Sequence, residues 1–169
     1  MTGAAPVVLI GPMGAGKSSV GRKLARRLGL AFIDTDRRIA AAHGPIPTIF
    51  AERGESVFRD LEAGAVRDAM RDGGVIAVGG GAVTHEATRE ALVGARIVLL
   101  TVSQDAVADR IRGSDRPLLA AGGLDAWQTI LDERAATYAS LAHVVVDTSR
   151  RPMSAVVDEI LQWLEEGPR

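Results

Sequence analysis

Apolar residues recur along the chain in two rhythms that alternate from one end to the other. Short unbroken runs, Val7-Val8-Leu9-Ile10, Ala31-Phe32-Ile33, Val75-Ile76-Ala77-Val78, Ile97 to Val102 and Val144-Val145-Val146, read as buried strands. Between them the apolar positions fall at helical spacing. Val20, Leu24 and Leu28 share one face of a helix that Gly29 ends as a C-cap. Val57, Phe58, Leu61, Ala65, Val66, Ala69 and Met70 fit a helix over Glu55 to Met70, and Trp127, Ile130 and Leu131 form the inner face of one over Asp125 to Tyr138. Val156, Ile160, Leu161 and Leu164 make the stripe of a last helix opened by Pro152. Thr84 is the expected cap of a helix through Leu92, and Ser103 the N-cap of a helix over Ala106 to Arg112. Arg37 to Ala42 reads as a short helix, which Gly44-Pro45-Ile46-Pro47 breaks before a second helical piece holding Ile49 and Phe50. Five strands alternating with helices predict an α/β fold, a three-layer αβα sandwich around a five-stranded parallel sheet, with ligands at the strands' C-terminal ends.

One stretch gives that sandwich a chemistry. Gly11-Pro12-Met13-Gly14-Ala15-Gly16-Lys17-Ser18 follows the first strand and opens the first helix, the setting a P-loop requires. Gly14 and Gly16 let the backbone turn successive N–H groups toward one centre, and the helix adds its positive end. Lys17 can reach the outer phosphates and the Ser18 hydroxyl can ligate Mg²⁺, so a nucleoside triphosphate suits the site. Asp34 and Asp36 follow the second strand; on an extended chain both side chains would point toward the loop, which implies magnesium and proton work. The alternative is that one of them caps the next helix.

Composition narrows the partners. The 169 residues and 47% apolar content suit one domain, 1–169, with a sizeable core. A net charge of −1 offers no general attraction to nucleic acid or anionic membrane, so the 20 basic residues need local explanations, small anionic ligands among them. The absence of Cys excludes disulfides, thiol catalysis and Cys-ligated zinc. The start of the chain lacks a charged n-region, and the apolar run after it is too short for a signal peptide or a membrane span, so a soluble cytoplasmic protein is expected. His43, His85 and His143 have no ligand spacing and receive no role, and Trp127 and Trp163 read as core.

Further candidates lie along the chain. Arg59 and Glu62, three apart on a helix, either pair with each other or serve a site. Gly79-Gly80-Gly81 ends the third strand and leaves room for a substrate, or is a plain turn. Arg116 sits in a glycine-flanked segment, residues 112–124, that suits a lid. Arg134 is either a solvated charge or a ligand for an anion.

Taken together, the P-loop, Asp34-Thr35-Asp36, the segment Phe58 to Glu62, Gly79 to Val83 and Arg116-Pro117-Leu118-Leu119 resemble the shikimate kinase family in order and spacing over nearly the whole chain. The resemblance implies a P-loop kinase fold with a lid and a helical substrate-binding excursion over residues 34–62. It implies phosphorylation of the 3-hydroxyl of shikimate by ATP. ATP phosphates would lie on Gly14, Ala15, Gly16, Lys17, Ser18 and Ser19, with Mg²⁺ on Ser18 and, through water, on Asp34. Asp36 would be the base for the hydroxyl, and Arg59 and Arg134 would grip the carboxylate beside Gly80 and Gly81. Lys17 and Arg116 would stabilise the transferring phosphoryl group. Phe50 and Phe58 would wall the pocket, while Arg110 or Arg112 and the segment Ser149 to Met153, Arg151 included, would flank adenine. ATP and shikimate are then the expected partners of a monomer that binds neither nucleic acid nor membrane. The competing readings are a gluconate or nucleotide kinase of the same fold, and a non-catalytic ATP-binding regulatory module.

Overall fold

A computed structural model describes residues 4–111 and 122–167. Five strands, β1 (Val7–Ile10), β2 (Phe32–Asp34), β3 (Val75–Ala77), β4 (Arg96–Thr101) and β5 (Val144–Asp147), form one parallel sheet in the order β2-β3-β1-β4-β5. The P-loop strand β1 is central, flanked by β3 (Val8 opposite Ile76) and β4 (Val8 opposite Ile97). A parallel sheet with helices on its faces needs apolar side chains on both sides of each strand, which is why the runs are continuous rather than alternating. Val7, Leu9, Val98 and Leu100 enter one core with Leu24, Val107, Trp127, Val156 and Ile160. Val8, Ile10, Ile97 and Leu99 enter the other with Val66, Ala69, Leu92 and Tyr138. The expected αβα layering with five parallel strands is observed.

The helices are α1 (Lys17–Leu28), α2 (Thr35–His43), α3 (Ile46–Asp72), α4 (Glu86–Ala91), α5 (Gln104–Ile111), α6 (Gly123–Leu141) and α7 (Met153–Glu166). Gly29 caps α1 through its N–H to Ala25 and Arg26 carbonyls, and Ser103 caps α5 by accepting from Ala106 N–H. The two helical pieces expected on either side of residue 54 run on as α3, bent where Gly54 takes φ 83°, ψ 167°, a conformation closed to other residues. With α2 they form the excursion, held by its own small core of Ile39, Ile49, Phe58 and Ala65.

Two expectations change. Thr84 does not cap α4: its hydroxyl closes a 3₁₀ turn (Ala82–Thr84) on Gly81 O at 2.6 Å, and His85 Nδ1 takes the cap by accepting from Ala87 N–H at 3.1 Å. The histidines without a role thus include a helix cap, and His143 Nδ1 accepts from Ile97 N–H at 3.0 Å. Asp36 lies in the first turn of α2 and not on an extended strand, because Asp34 already begins that helix as its N-cap. Of the segment 112–124 expected as a lid, Gly123 and Leu124 belong to α6, and residues 112–121, with Arg112 and Arg116, lie outside the described residues. No helix among the described residues is long and apolar enough to cross a membrane.

Candidate active site

The C-terminal ends of β1, β2 and β3 open into a cavity of about 870 Å³, closed by α3 and α6. On one side stands the phosphate loop. Gly14 and Gly16 adopt φ 83° and 90°, and α1 has no side-chain cap, so its first N–H groups face the loop's centre. The outer side of the loop is held by side chains from far along the chain. Trp127 Nε1 donates to Met13 O at 2.8 Å, Arg110 Nη1 to Gly14 O at 3.0 Å and Thr148 Oγ1 to Ala15 O at 2.8 Å. A trans peptide points its C=O and the next N–H in opposite directions, so anchoring the Met13 and Ala15 carbonyls outward turns the Gly14 and Gly16 N–H groups inward, while the Ala15 N–H closes a turn onto Pro12 O at 3.2 Å. Ala15 is fully buried and contributes backbone alone. Lys17 Nζ bonds Gly11 O and Pro12 O at 2.7 and 3.0 Å, which holds the ammonium over the loop.

Next to the loop, Ser18 Oγ donates to Asp34 Oδ2 at 2.6 Å, while Asp34 Oδ1 accepts from Arg37 N–H at 3.2 Å. Asp34 thus caps α2 with one oxygen and bonds the P-loop serine with the other. Ser19 and Asp36 also line the cavity.

The far side is built on α3 and α6. Arg59 and Glu62, one turn apart on α3, pair at 2.6 Å (Nη1 to Oε2) and are 8% and 1% exposed. Arg59 also reaches Glu55 Oε1 at 3.3 Å, and its guanidinium lies 5.3 Å from the Phe58 ring, itself 4.7 Å from the Phe50 ring. The pair that the spacing suggested is formed, and both of its members line the cavity. Burial pushes the Glu62 carboxyl up to about 7; the Arg59 guanidinium opposes the shift and the Asp36 carboxylate adds to it. From α6, Arg134 is buried close to Tyr138, whose hydroxyl donates to Gly80 O. Burial raises the Tyr138 pKa above its usual range, against the nearby Arg134 charge.

The three glycines do more than leave space for a substrate. A Cβ on Gly81 would stand 2.2 Å from Arg59 Nη2, and one on Gly79 would stand 2.4 Å from Glu62 Oε1 and 2.8 Å from Asp36 Oδ1. A Cβ on Gly80 would meet Met13 N at 3.4 Å and Arg134 Nη1 at 3.5 Å. The room is occupied by the site's own charged groups, packed against bare backbone.

Of the residues read from the sequence, Gly14, Gly16, Lys17, Ser18, Ser19, Asp34, Asp36, Arg59, Gly80, Gly81 and Arg134 share this cavity, as do Phe50, Phe58 and Arg110. Arg151 is not brought to it: it donates to Asp147 O at 3.2 Å and pairs with Glu159 at 2.6 Å. Met153 is 41% exposed on α7. Sequence reading missed Trp127, Tyr138 and Thr148 as parts of the site, because an indole, a phenol or a hydroxyl that braces backbone from 58 to 133 residues away leaves no local motif. Glu62 was legible as the partner of Arg59.

The arrangement places a triphosphate cradle and a two-arginine anion site on either side of a carboxylate, as transfer of a phosphoryl group to an anionic alcohol requires. The family model for shikimate kinase matches residues 13–165. Shikimate kinase of Pseudomonas putida F1 is 42% identical over 167 residues, covering 96% of this chain and 97% of that protein. The enzyme of Mycobacterium avium is 44% identical over 161 residues, covering 93% and 92%. Among solved structures, shikimate kinase from Acinetobacter baumannii in complex with shikimate superposes with a TM-score of 0.91 at 34% identity, over 96% of this chain and 93% of that one. The cavity, its arginine pair and these likenesses extend over the same residues, and on them the chain belongs to the shikimate kinase family.

Proposed function

We propose that this cavity holds ATP on the P-loop and shikimate against α3 and α6, and that the chain is a kinase that phosphorylates the 3-hydroxyl of shikimate, giving shikimate 3-phosphate and ADP. The observation that carries the reading is the placement of two buried arginines, Arg59 and Arg134, in one cavity with Asp36 and the P-loop. A planar guanidinium presents paired donors that match a carboxylate, and two of them fix the orientation of a small rigid anion.

In the reaction the shikimate hydroxyl oxygen attacks the γ-phosphorus, the bond from that phosphorus to the β–γ bridging oxygen breaks, and ADP departs with those electrons. The hydroxyl proton passes to the Asp36 carboxylate, which also aims the alcohol. Lys17 and the inward N–H groups of Gly14 and of Gly16 to Ser19 neutralise the phosphate oxygens. Arg116 is proposed to add its charge from the lid side and Arg151 to serve the nucleotide, both on the family resemblance alone.

Ser18 and Asp34 bring two hard oxygen donors together at 2.6 Å beside the cradle. That set fits Mg²⁺, which takes few protein ligands and completes its shell with phosphate and water. The ion, when bound, supplies charge neutralisation across the β- and γ-phosphates. Ser18 and Asp34 would hold it, the latter through water. We further propose a cytoplasmic monomer with ATP and shikimate as its partners and no affinity for nucleic acid or membrane. Size-exclusion chromatography coupled to light scattering would overturn the monomer by finding a dimer.

ADP release by the purified chain with ATP and Mg²⁺ tests the function when shikimate, gluconate, AMP and no acceptor are run in parallel. Release with shikimate alone is expected. Turnover on gluconate or AMP would reassign the acceptor site, and nucleotide binding without turnover would make the chain a regulatory module.

A further inference from the structure

Helix α6 touches both halves of the site through opposite ends. Near its start, Trp127, 1% exposed, donates to Met13 O of the phosphate loop at 2.8 Å. About three turns later Tyr138, 2% exposed, donates to Gly80 O of the acceptor loop and lies close to Arg134. Between these anchors Leu131 packs against both apolar cores, and a small pocket of about 130 Å³ lies beside it, lined by Pro12, Leu99, Ala135 and Tyr138. The two buried hydrogen bonds therefore tie α6 directly to the two loops at its ends. Each bond also sets a peptide plane. Drawing the Met13 carbonyl outward turns the Gly14 N–H inward, and drawing the Gly80 carbonyl toward Tyr138 turns the Gly81 N–H away from it. The two loops meet at Gly80, where a Cβ would lie 3.4 Å from Met13 N and 3.5 Å from Arg134 Nη1.

We propose that Trp127 and Tyr138 are positioning residues that hold the donor loop and the acceptor loop at a fixed separation through α6, Trp127 acting on the nucleotide and Tyr138 on the acceptor. The proposal rests on the phosphoryl-transfer reading above. Neither residue is asked to touch a substrate. Trp127 fixes the cradle's donors, and Tyr138 fixes the Arg134 guanidinium and the Gly80 peptide.

The test is steady-state kinetics on the full chain with ATP and shikimate varied independently. Turnover of the unaltered chain on shikimate is measured first, so that failure of the functional reading is seen separately. Tyr138→Phe removes one oxygen and keeps the ring's packing; it is expected to raise the KM for shikimate about five- to tenfold and leave the KM for ATP unchanged. Trp127→Phe is expected to raise the KM for ATP by a similar factor and leave that for shikimate unchanged. Val156→Ala, in the same core as Trp127 and outside the cavity's lining, is the control for a general loosening and is expected to move neither constant. The proposal is overturned if either variant moves both constants together or neither of them, or if Val156→Ala reproduces the split. Should Trp127→Phe fail to fold, Tyr138→Phe decides alone.

Discussion

Glu62 faces two charges of opposite sign at once: its Oε2 takes the Arg59 guanidinium at 2.6 Å, and its Oε1 converges with Asp36 Oδ1 over the bare backbone of Gly79. When Glu62 is ionised it satisfies Arg59 and crowds Asp36. When it is protonated, Arg59 keeps its full charge for an incoming carboxylate. The residue therefore links the protonation of the site to the strength of its grip on the acceptor.

The first prediction follows from that link. The Glu62 carboxyl titrates near 7 in the folded chain against an ordinary 4.5, so between those values the folded state binds the extra proton. This group's contribution to stability is complete below pH 4.5 and falls as pH rises to 7, and above 7 the ionised group also competes for Arg59. The KM for shikimate is expected to rise between pH 6 and 8, and the melting temperature to decline over pH 5 to 7, both relative to Glu62→Gln. Parallel profiles for the two proteins would rule this out.

Gly81→Ala should strike Arg59 directly. The added methyl would stand 2.2 Å from Nη2, and the buried guanidinium, held by Glu62 and Glu55, has to leave its place. We expect at least a tenfold rise in the KM for shikimate, equivalent to about 1.4 kcal/mol of lost binding, with the KM for ATP little changed. Calorimetric titration with shikimate checks it independently of turnover.

Asp36→Asn removes the proton acceptor while keeping the side chain's size. The expected loss in kcat is about a hundredfold or more, with nucleotide affinity retained. A kcat within a few-fold of the unaltered chain would transfer the proton-accepting role elsewhere.

Thr148→Val deletes the hydroxyl that braces Ala15 O and preserves the side chain's shape. The carbonyl loses that partner, and the KM for ATP is expected to rise about fivefold while the KM for shikimate stays put. Equal changes in both constants would make Thr148 a general structural residue.

The elements that were legible in the sequence are those whose signal is local. Val7 to Ile10 followed by the glycine motif and the Val20, Leu24 and Leu28 stripe located strand, loop and helix together, because each depends on neighbours a few residues away. Asp34 and Asp36 reached the site for a different reason than extended-chain geometry supplies: helix α2 begins at Thr35, and a helical turn brings Asp36 round to the cavity. Thr84 lost its cap to His85 because α4 begins only at Glu86, which puts His85 at the capping position and Thr84 in the preceding 3₁₀ turn. The triple glycine was noticed, but its purpose lay in side chains from α2, α3 and α6, which no spacing along β3 could reveal. Arg151 shows the converse: nothing in the sequence around it signalled its ion pair with Glu159, about two turns along on α7.

The bracing of the phosphate loop has a consequence for how the protein comes into being. The motif itself is finished by residue 18, yet the side chains that hold its carbonyls outward, Arg110, Trp127 and Thr148, arrive from the last third or so of the chain. A growing polypeptide thus carries the complete signature long before it owns a rigid cradle. Synthesis has to pass Thr148, with β5 laid beside β4, before the nascent protein can hold a triphosphate firmly.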